Sequence, residues 1–271
     1  FLGSENGVVY ALNEANGEVL WQTTVPGEVV ASPAVEDGRV VVLTTSGRLM
    51  ALDTDEGKLQ WTLSEEQPPL TLRSASTPVI TNGAVLYGRA DGKVGIALLS
   101  NGQPVRQSKV ADPRGATELD RMVDVDARPL IAGDELYAIA YNGQLMARKL
   151  MTGDEVWKRK YSGYRDMAVT GNAIVLTDSR SHLFAVDRRN GLELWSNTQL
   201  ENRTVTAPVV LGDYVVVGDV EGYLYWLDRT DGSIKAMQQL DSSGLYAAPL
   251  VDGDTLYVQS RGGKLYAIKR P

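Results

Sequence analysis

The sequence predicts an all-β protein of the propeller class, built from four-stranded blades in series, on three observations. A tryptophan-and-glycine pattern recurs along the chain, its period is nearly constant, and each period holds four short strands joined by turn dipeptides. The turn glycines fall at Gly17, Gly57, Gly102, Gly153, Gly191 and Gly232, separated by 40, 45, 51, 38 and 41 residues. Periods of this length, each too small to bury a face alone, mark solenoids and propellers. An irregular β-sandwich would not produce equal periods.

Each element follows from the pattern. Gly7-Val8-Val9-Tyr10-Ala11-Leu12-Asn13 leads through Asn16-Gly17 to Trp21, and Gly47 through Asp53 leads through Gly57 to Trp61. Gly143 to Leu150 continues to Gly153 and Trp157, and His182 to Asp187 continues through Asn190-Gly191 to Trp195. Weaker copies run from Gly92 to Gly102 and from Gly222 to Gly232, with Arg106 and Ala236 in the tryptophan slot. A further copy starts at Gly263 and reaches the last residues without its closing strand. Between copies lie two more strands, as in Ala31-Ser32-Pro33-Ala34-Val35 followed by Gly38 to Leu43. Asp37-Gly38, Asp91-Gly92 and Asn142-Gly143 supply the positive-φ residues of tight hairpins. The recurring Trp is suited to burial between neighbouring blades.

The ends are read as truncated. The first period lacks its opening two strands and the last its fourth, and Phe1-Leu2-Gly3-Ser4 reads as the end of a strand already under way. Propellers close by pairing strands from both termini. The expectation is a single propeller domain over residues 1–271, with a first blade and a closing strand upstream of residue 1 and eight blades in the full-length protein.

With 43% hydrophobic residues the chain has ample material for a core. A net charge of −7 argues against a nucleic-acid surface. No run approaches the roughly 18 apolar residues of a membrane helix. The absence of cysteine excludes disulfides and thiol chemistry within these 271 residues.

Function is sought where the repeat is broken. The 45-residue period carries Glu65 to Ser74 ahead of its first strand, and the 51-residue period carries Ala111 to Asp126. These occupy equivalent connections in adjacent blades, so they should protrude together from one face. Leu70 and Leu72 beside Arg73, and Asp120, Asp124 and Asp126 beside Met122 and Val123, have the make-up of a partner-binding patch. Equally, these are extended connectors whose apolar side chains fold inward. Asp124-Val125-Asp126 supplies too few oxygens for a metal, so its carboxylates are read as isolated, solvated or salt-bridged charges. The single histidine, His182, reads as a surface residue at a strand start. It excludes a His-rich zinc site, and no nucleophile elbow accompanies it. No catalytic residues, metal ligands or cofactor site are assigned.

The Trp-and-Gly periods resemble PQQ-like propeller repeats. The stretches Leu70 to Pro78, Thr117 to Asp126, Ala140 to Gly143, Val217 to Trp226 and Asp241 to Gly244 resemble the BamB family of outer-membrane assembly lipoproteins, over essentially the whole chain. That resemblance implies an eight-bladed propeller at the periplasmic face of the outer membrane of a Gram-negative bacterium. It also implies an N-terminal lipid anchor that these residues do not contain. The implied partner is the set of POTRA domains of BamA, met by positions matching Leu70, Leu72, Arg73, Asp124 and Asp126. The implied role is a non-enzymatic scaffold that assists insertion of outer-membrane proteins and binds unfolded clients through short blade edges. The competing classes are a PQQ-dependent quinoprotein dehydrogenase and the sensor ectodomain of a receptor. The first typically sets a vicinal disulfide against its quinone, which a chain without cysteine cannot form.

Overall fold

In a computed structural model of the chain, which describes residues 1–270, every regular element is a β-strand and every sheet is antiparallel. The residues group into two compact units, Phe1–Pro129 with Tyr137–Leu145, and Leu130–Leu136 with Met146–Pro271.

The first unit opens with a sheet of β1 (Leu2–Gly3), β2 (Val8–Leu12) and β3 (Val19–Thr24). Leu2 pairs with Tyr10 and Gly3 with Val9, so this sheet has three strands rather than the two expected. Residues 1–4 were legible as a strand end, but the pairing that makes them a strand lies in the register with β2. The next blade is β4 (Ala34–Glu36), β5 (Arg39–Leu43), β6 (Arg48–Asp53) and β7 (Leu59–Ser64). The third is β8 (Val79–Thr81), β9 (Ala84–Gly88), β10 (Lys93–Leu98) and β11 (Pro104–Lys109). β12 (Leu130–Ala132), β13 (Glu135–Ile139), β14 (Leu145–Lys149) and β15 (Glu155–Arg159) follow, and the division between the units runs through this sheet.

The second unit continues with β16 (Ala168–Thr170), β17 (Ala173–Thr177), β18 (Leu183–Asp187) and β19 (Glu193–Asn197). Then come β20 (Val209–Leu211), β21 (Tyr214–Gly218), β22 (Tyr223–Asp228) and β23 (Ile234–Gln239). A three-stranded sheet of β24 (Leu250–Asp252), β25 (Thr255–Gln259) and β26 (Leu265–Lys269) ends the chain.

Strand character follows position within the blade. The second and third strands are covered on both faces, so β5 and β6 are apolar almost throughout, with Val40, Val41, Leu49, Ala51 and Leu52 wholly buried. The fourth strand alternates, β7 burying Trp61 between exposed neighbours. A one-residue bulge recurs where third and fourth strands pair, after Ala11, Ala51, Ile96, Ala185 and Trp226. The extra residue just before the tryptophan slot re-aims the strand, turning the ring toward the next blade.

That ring is the joint between blades. Within the first unit Trp21 Nε1 donates to the Thr54 carbonyl at 2.8 Å and Trp61 Nε1 to that of Leu99 at 2.9 Å. Within the second, Trp157 donates to Arg188 at 2.7 Å and Trp195 to Arg229 at 2.9 Å. Each ring lies flat on the turn glycine of the next period: a Cβ on Gly57, Gly102, Gly191 or Gly232 would sit 2.4–2.5 Å from ring carbon Cε3. The Asp or Asn of the repeat holds that turn. Asp53 Oδ1 accepts from Asp55 N–H and Glu56 N–H at 2.9 and 3.0 Å, and its carbonyl accepts from Gly57 N–H at 2.9 Å. Where Ala236 fills the slot, the ring has moved across the strand pair to Trp226, which packs edge-on against Tyr214.

Candidate functional site: two lengthened connections over a carboxylate-lined cavity

Both lengthened connections belong to the first unit, the first running from β7 to β8 and the second from β11 to β12. The second begins with an exposed turn in which Thr117 N–H and Oγ1–H donate to Asp120 Oδ2 at 3.2 and 2.7 Å, and Asp120 N–H donates back to Thr117 Oγ1. The segment then dives. Met122, Val123, Asp124 and Val125 are buried, and Asp124 is only 1% exposed. Their backbone is stitched to two hairpins: Val125 N–H donates to Arg89 O at 3.0 Å, and Tyr141 N–H donates to Asp124 O at 2.9 Å. Gly88 permits this approach, since a Cβ there would lie 1.8 Å from the Val125 carbonyl oxygen. Ser76 Oγ ties the first connection to the Ala127 carbonyl at 3.2 Å.

The two connections meet at a second bond. Leu72 N–H donates to Asp124 Oδ1 at 2.9 Å. Leu70 stays 42% exposed, Leu72 is half-buried and Arg73 is exposed. The Arg73 guanidinium is gripped by Glu28 in two bonds of 2.8 and 3.1 Å, with Glu5 at 3.7 Å, and holds the Glu28 carboxyl below its usual range.

This placement corrects part of the sequence reading. The five candidate residues do lie in two connections that touch. Asp124, Met122 and Val123, however, do not form an exposed patch: the segment fills the space between blades, and Asp124 braces Leu72. Nor are Asp124 and Asp126 solvated or ion-paired. Asp126 is half-buried, and the Oδ2 atoms of both are buried without a hydrogen-bond partner. Burial raises the pKa of Asp124 against the lowering effect of the Leu72 N–H. Burial, and then the charge of Asp124, push Asp126 up to about 7.

Both carboxylates line a cavity of about 30 Å³, lined also by Thr71, Leu72, Ser74, Ser76, Tyr87 and Arg89. Glu65, Tyr87 and Arg89 of its lining belong to a network that sequence reasoning missed. Tyr87 Oη donates to Glu65 Oε1 at 2.5 Å, Arg89 lies 2.6 Å from Glu65 and 2.8 Å from Asp91, and Lys93 lies 2.8 Å from Asp91. Burial, then the Glu65 carboxylate, push the Tyr87 hydroxyl above its usual range. Arg89 and Asp91 flank a turn and could have been paired on sight. Glu65 could not, because its contact depends on how two blades stack. His182 is likewise not at the surface: it is 9% exposed, with Nδ1 3.0 Å from Asp178 Oδ2. Among the described residues no group of three or more His, Asp or Glu side chains is arranged to hold a metal ion, and no helix is long and apolar enough to cross a membrane.

Tandem sheets docked Trp-on-glycine, with the departures from the repeat gathered into two touching connections, define a β-propeller of PQQ-like repeats. Solved structures bear this out. The chain superposes on BamB from Moraxella catarrhalis with a TM-score of 0.94 at 27% identity, covering 99% of this chain and 80% of that one. It also matches a europium-containing methanol dehydrogenase, with a TM-score of 0.67 at 14% identity over 98% of this chain and 79% of that one, a likeness of fold alone. The family model described as outer membrane protein assembly factor BamB matches residues 1–197 and 193–270. The outer membrane protein assembly factor BamB of Shewanella oneidensis is 46% identical over 210 residues, 78% of this chain and 53% of that protein. The chain belongs to the BamB family, and it spans about half the length of the curated relatives it matches first.

Proposed function

We propose that the chain is part of a non-enzymatic scaffold in the machinery that assembles β-barrel proteins in the outer membrane of Gram-negative bacteria. It docks on the POTRA domains of BamA through the surface of Leu70, Leu72 and Arg73, with Asp124 and Asp126 directly beneath. The full-length protein is a single eight-bladed propeller. It is held at the periplasmic face of the membrane by an N-terminal lipid, and it presents unfolded outer-membrane proteins for insertion.

The observation that carries this reading is the Leu72–Asp124 hydrogen bond, which makes one surface of the two connections that depart from the repeat. That surface offers an exposed leucine beside an arginine already oriented by Glu28, an apolar anchor with a fixed charge at its rim. The relatives are named assembly factors rather than enzymes, which supports the absence of catalysis.

The test is the affinity of the purified chain for a soluble POTRA fragment, by calorimetry. Leu72→Asp and Leu70→Asp should each weaken binding by about tenfold or more while melting like the parent. Undiminished binding by well-folded variants would remove this surface from the interface.

A further inference from the structure

Four charged groups, Glu65, Arg89, Asp124 and Asp126, line the cavity beneath Leu72, and the first two are ion-paired. Arg89 pairs with Glu65 and Asp91, and Lys93 pairs with Asp91, so two cations balance two carboxylates. Asp124 and Asp126 stand outside this set. One oxygen of Asp124 accepts the Leu72 N–H, while its other oxygen and Asp126 Oδ2 are buried, line the same cavity and have no partner. Neither carboxylate has a cation within ion-pairing distance among the described residues. Arg73, exposed beside Leu72, is committed to Glu28 and Glu5, and Arg121 to Glu118 and the Gly115 carbonyl.

Buried carboxylate oxygens without a donor or counter-charge are costly, and proteins resolve them with a proton, a metal or a cation. A divalent metal is poorly served here, because two carboxylates fall well short of the six to eight oxygens that calcium takes. The space favours a small head group. The cavity's volume of about 30 Å³ holds about two waters or the end of one side chain, and Thr71, Ser74 and Ser76 line it.

We propose that this cavity is the receptor for one cationic side chain, an ammonium or guanidinium carried by the docking partner, with Asp124 Oδ2 and Asp126 Oδ2 as its acceptors. The proposal rests on the docking reading above and deepens it. The leucines supply area, and the carboxylate pair supplies two charge-assisted bonds in a site largely shielded from water. Asp124 then has two roles, its Oδ1 fixing the Leu72 backbone and its Oδ2 meeting the guest.

Titration gives the proposal a distinctive signature. Glu65, Tyr87 and Arg89 line the cavity with the pair, and Glu66, Arg73, Asp91, Lys93, Arg128 and Tyr141 stand on the surrounding elements. None of them supplies the pair with a counter-charge, so the free protein retains a proton on Asp126 up to about pH 7. A cation entering the cavity must expel that proton.

Calorimetry of the chain with the soluble POTRA fragment, in buffers of different ionisation enthalpy, reads this directly. The expected result is proton release on binding near pH 6.5 and an affinity that rises about tenfold between about pH 6 and pH 8. Asp126→Asn should abolish both and weaken binding at pH 8 by about tenfold. Asp124→Asn, which keeps an acceptor for the Leu72 N–H, should weaken it similarly without lowering the melting temperature. If both asparagine variants bind like the parent and no proton is released, while Leu72→Asp still abolishes binding, the docking surface stands and the cation receptor is overturned. If Leu72→Asp and Leu70→Asp also bind normally, it is the docking reading that fails.

Discussion

Replacing Gly102 with alanine should destabilise the protein by about 3 kcal/mol, and the structure separates the two sources of that loss. Gly102 has φ of +72°, a conformation an alanine adopts at a cost of about 1 kcal/mol. Its Cβ would also lie 2.5 Å from Cε3 of Trp61. That ring cannot easily retreat, because Trp61 is 9% exposed and its Nε1 is tied to the Leu99 carbonyl at 2.9 Å. Forcing a methyl group into so tight a contact costs roughly a further 1–3 kcal/mol. Gly83 is the control: φ is +71°, yet nothing lies within 4 Å of the position its Cβ would take. Gly83→Ala should therefore show the backbone cost alone. Urea denaturation followed by tryptophan fluorescence and by far-ultraviolet circular dichroism gives both losses on one scale, and coincident transitions validate the comparison. If the two variants lose stability equally, within about 0.5 kcal/mol, the ring-on-glycine contact does not hold the blades and the account of the repeat is wrong.

Three further outcomes are expected. Asp126 is raised from about 3.9 in the unfolded chain to about 7 in the fold, so between those values unfolding takes an ionised carboxylate that the fold keeps protonated. Stability should therefore fall as pH rises from about 4 to 7, by at most about 4 kcal/mol. Asp126→Asn should remove the fall, being more stable than the parent at about pH 8 and equal to it near pH 4 in pH-resolved melting. Asp124→Ala removes the acceptor of the Leu72 N–H and should cost about 1–3 kcal/mol, whereas Asp124→Asn should recover most of it; equal losses would deny Asp124 its bracing role. Glu65→Ala strips the buried Arg89 of one of its two carboxylates and Tyr87 of its acceptor, and should cost about 3–5 kcal/mol in denaturant unfolding.

The sequence made the blades legible because what builds them is local or one period away. Asp53 caps its own turn, Trp61 reaches the following turn, and both contacts recur often enough to be read as a rule. The candidate surface was legible only as two interruptions of that rule. What escaped was which side of the interruption faces water. Asp124-Val125-Asp126 reads as a polar strand with solvated carboxylates, yet Asp124 is buried because Val125 must bond to Arg89 and Tyr141 must bond to Asp124. Those partners lie in two different hairpins, and no local pattern announces them. Glu28, the partner of Arg73, lies 45 residues away in sequence and was invisible for the same reason.

The ring-on-glycine joint points one way along the chain, and this sets an order on synthesis. Trp21 finds its acceptor 33 residues later and Trp61 finds its own 38 residues later. A blade leaving the ribosome therefore carries an undocked indole until almost one more period has emerged. Each of the four blades that carries the ring is fastened by its successor rather than its predecessor, and closing a loop of that length carries only a modest entropic cost. The assembling chain thus exposes each of these rings only near its growing end, until the next turn has emerged.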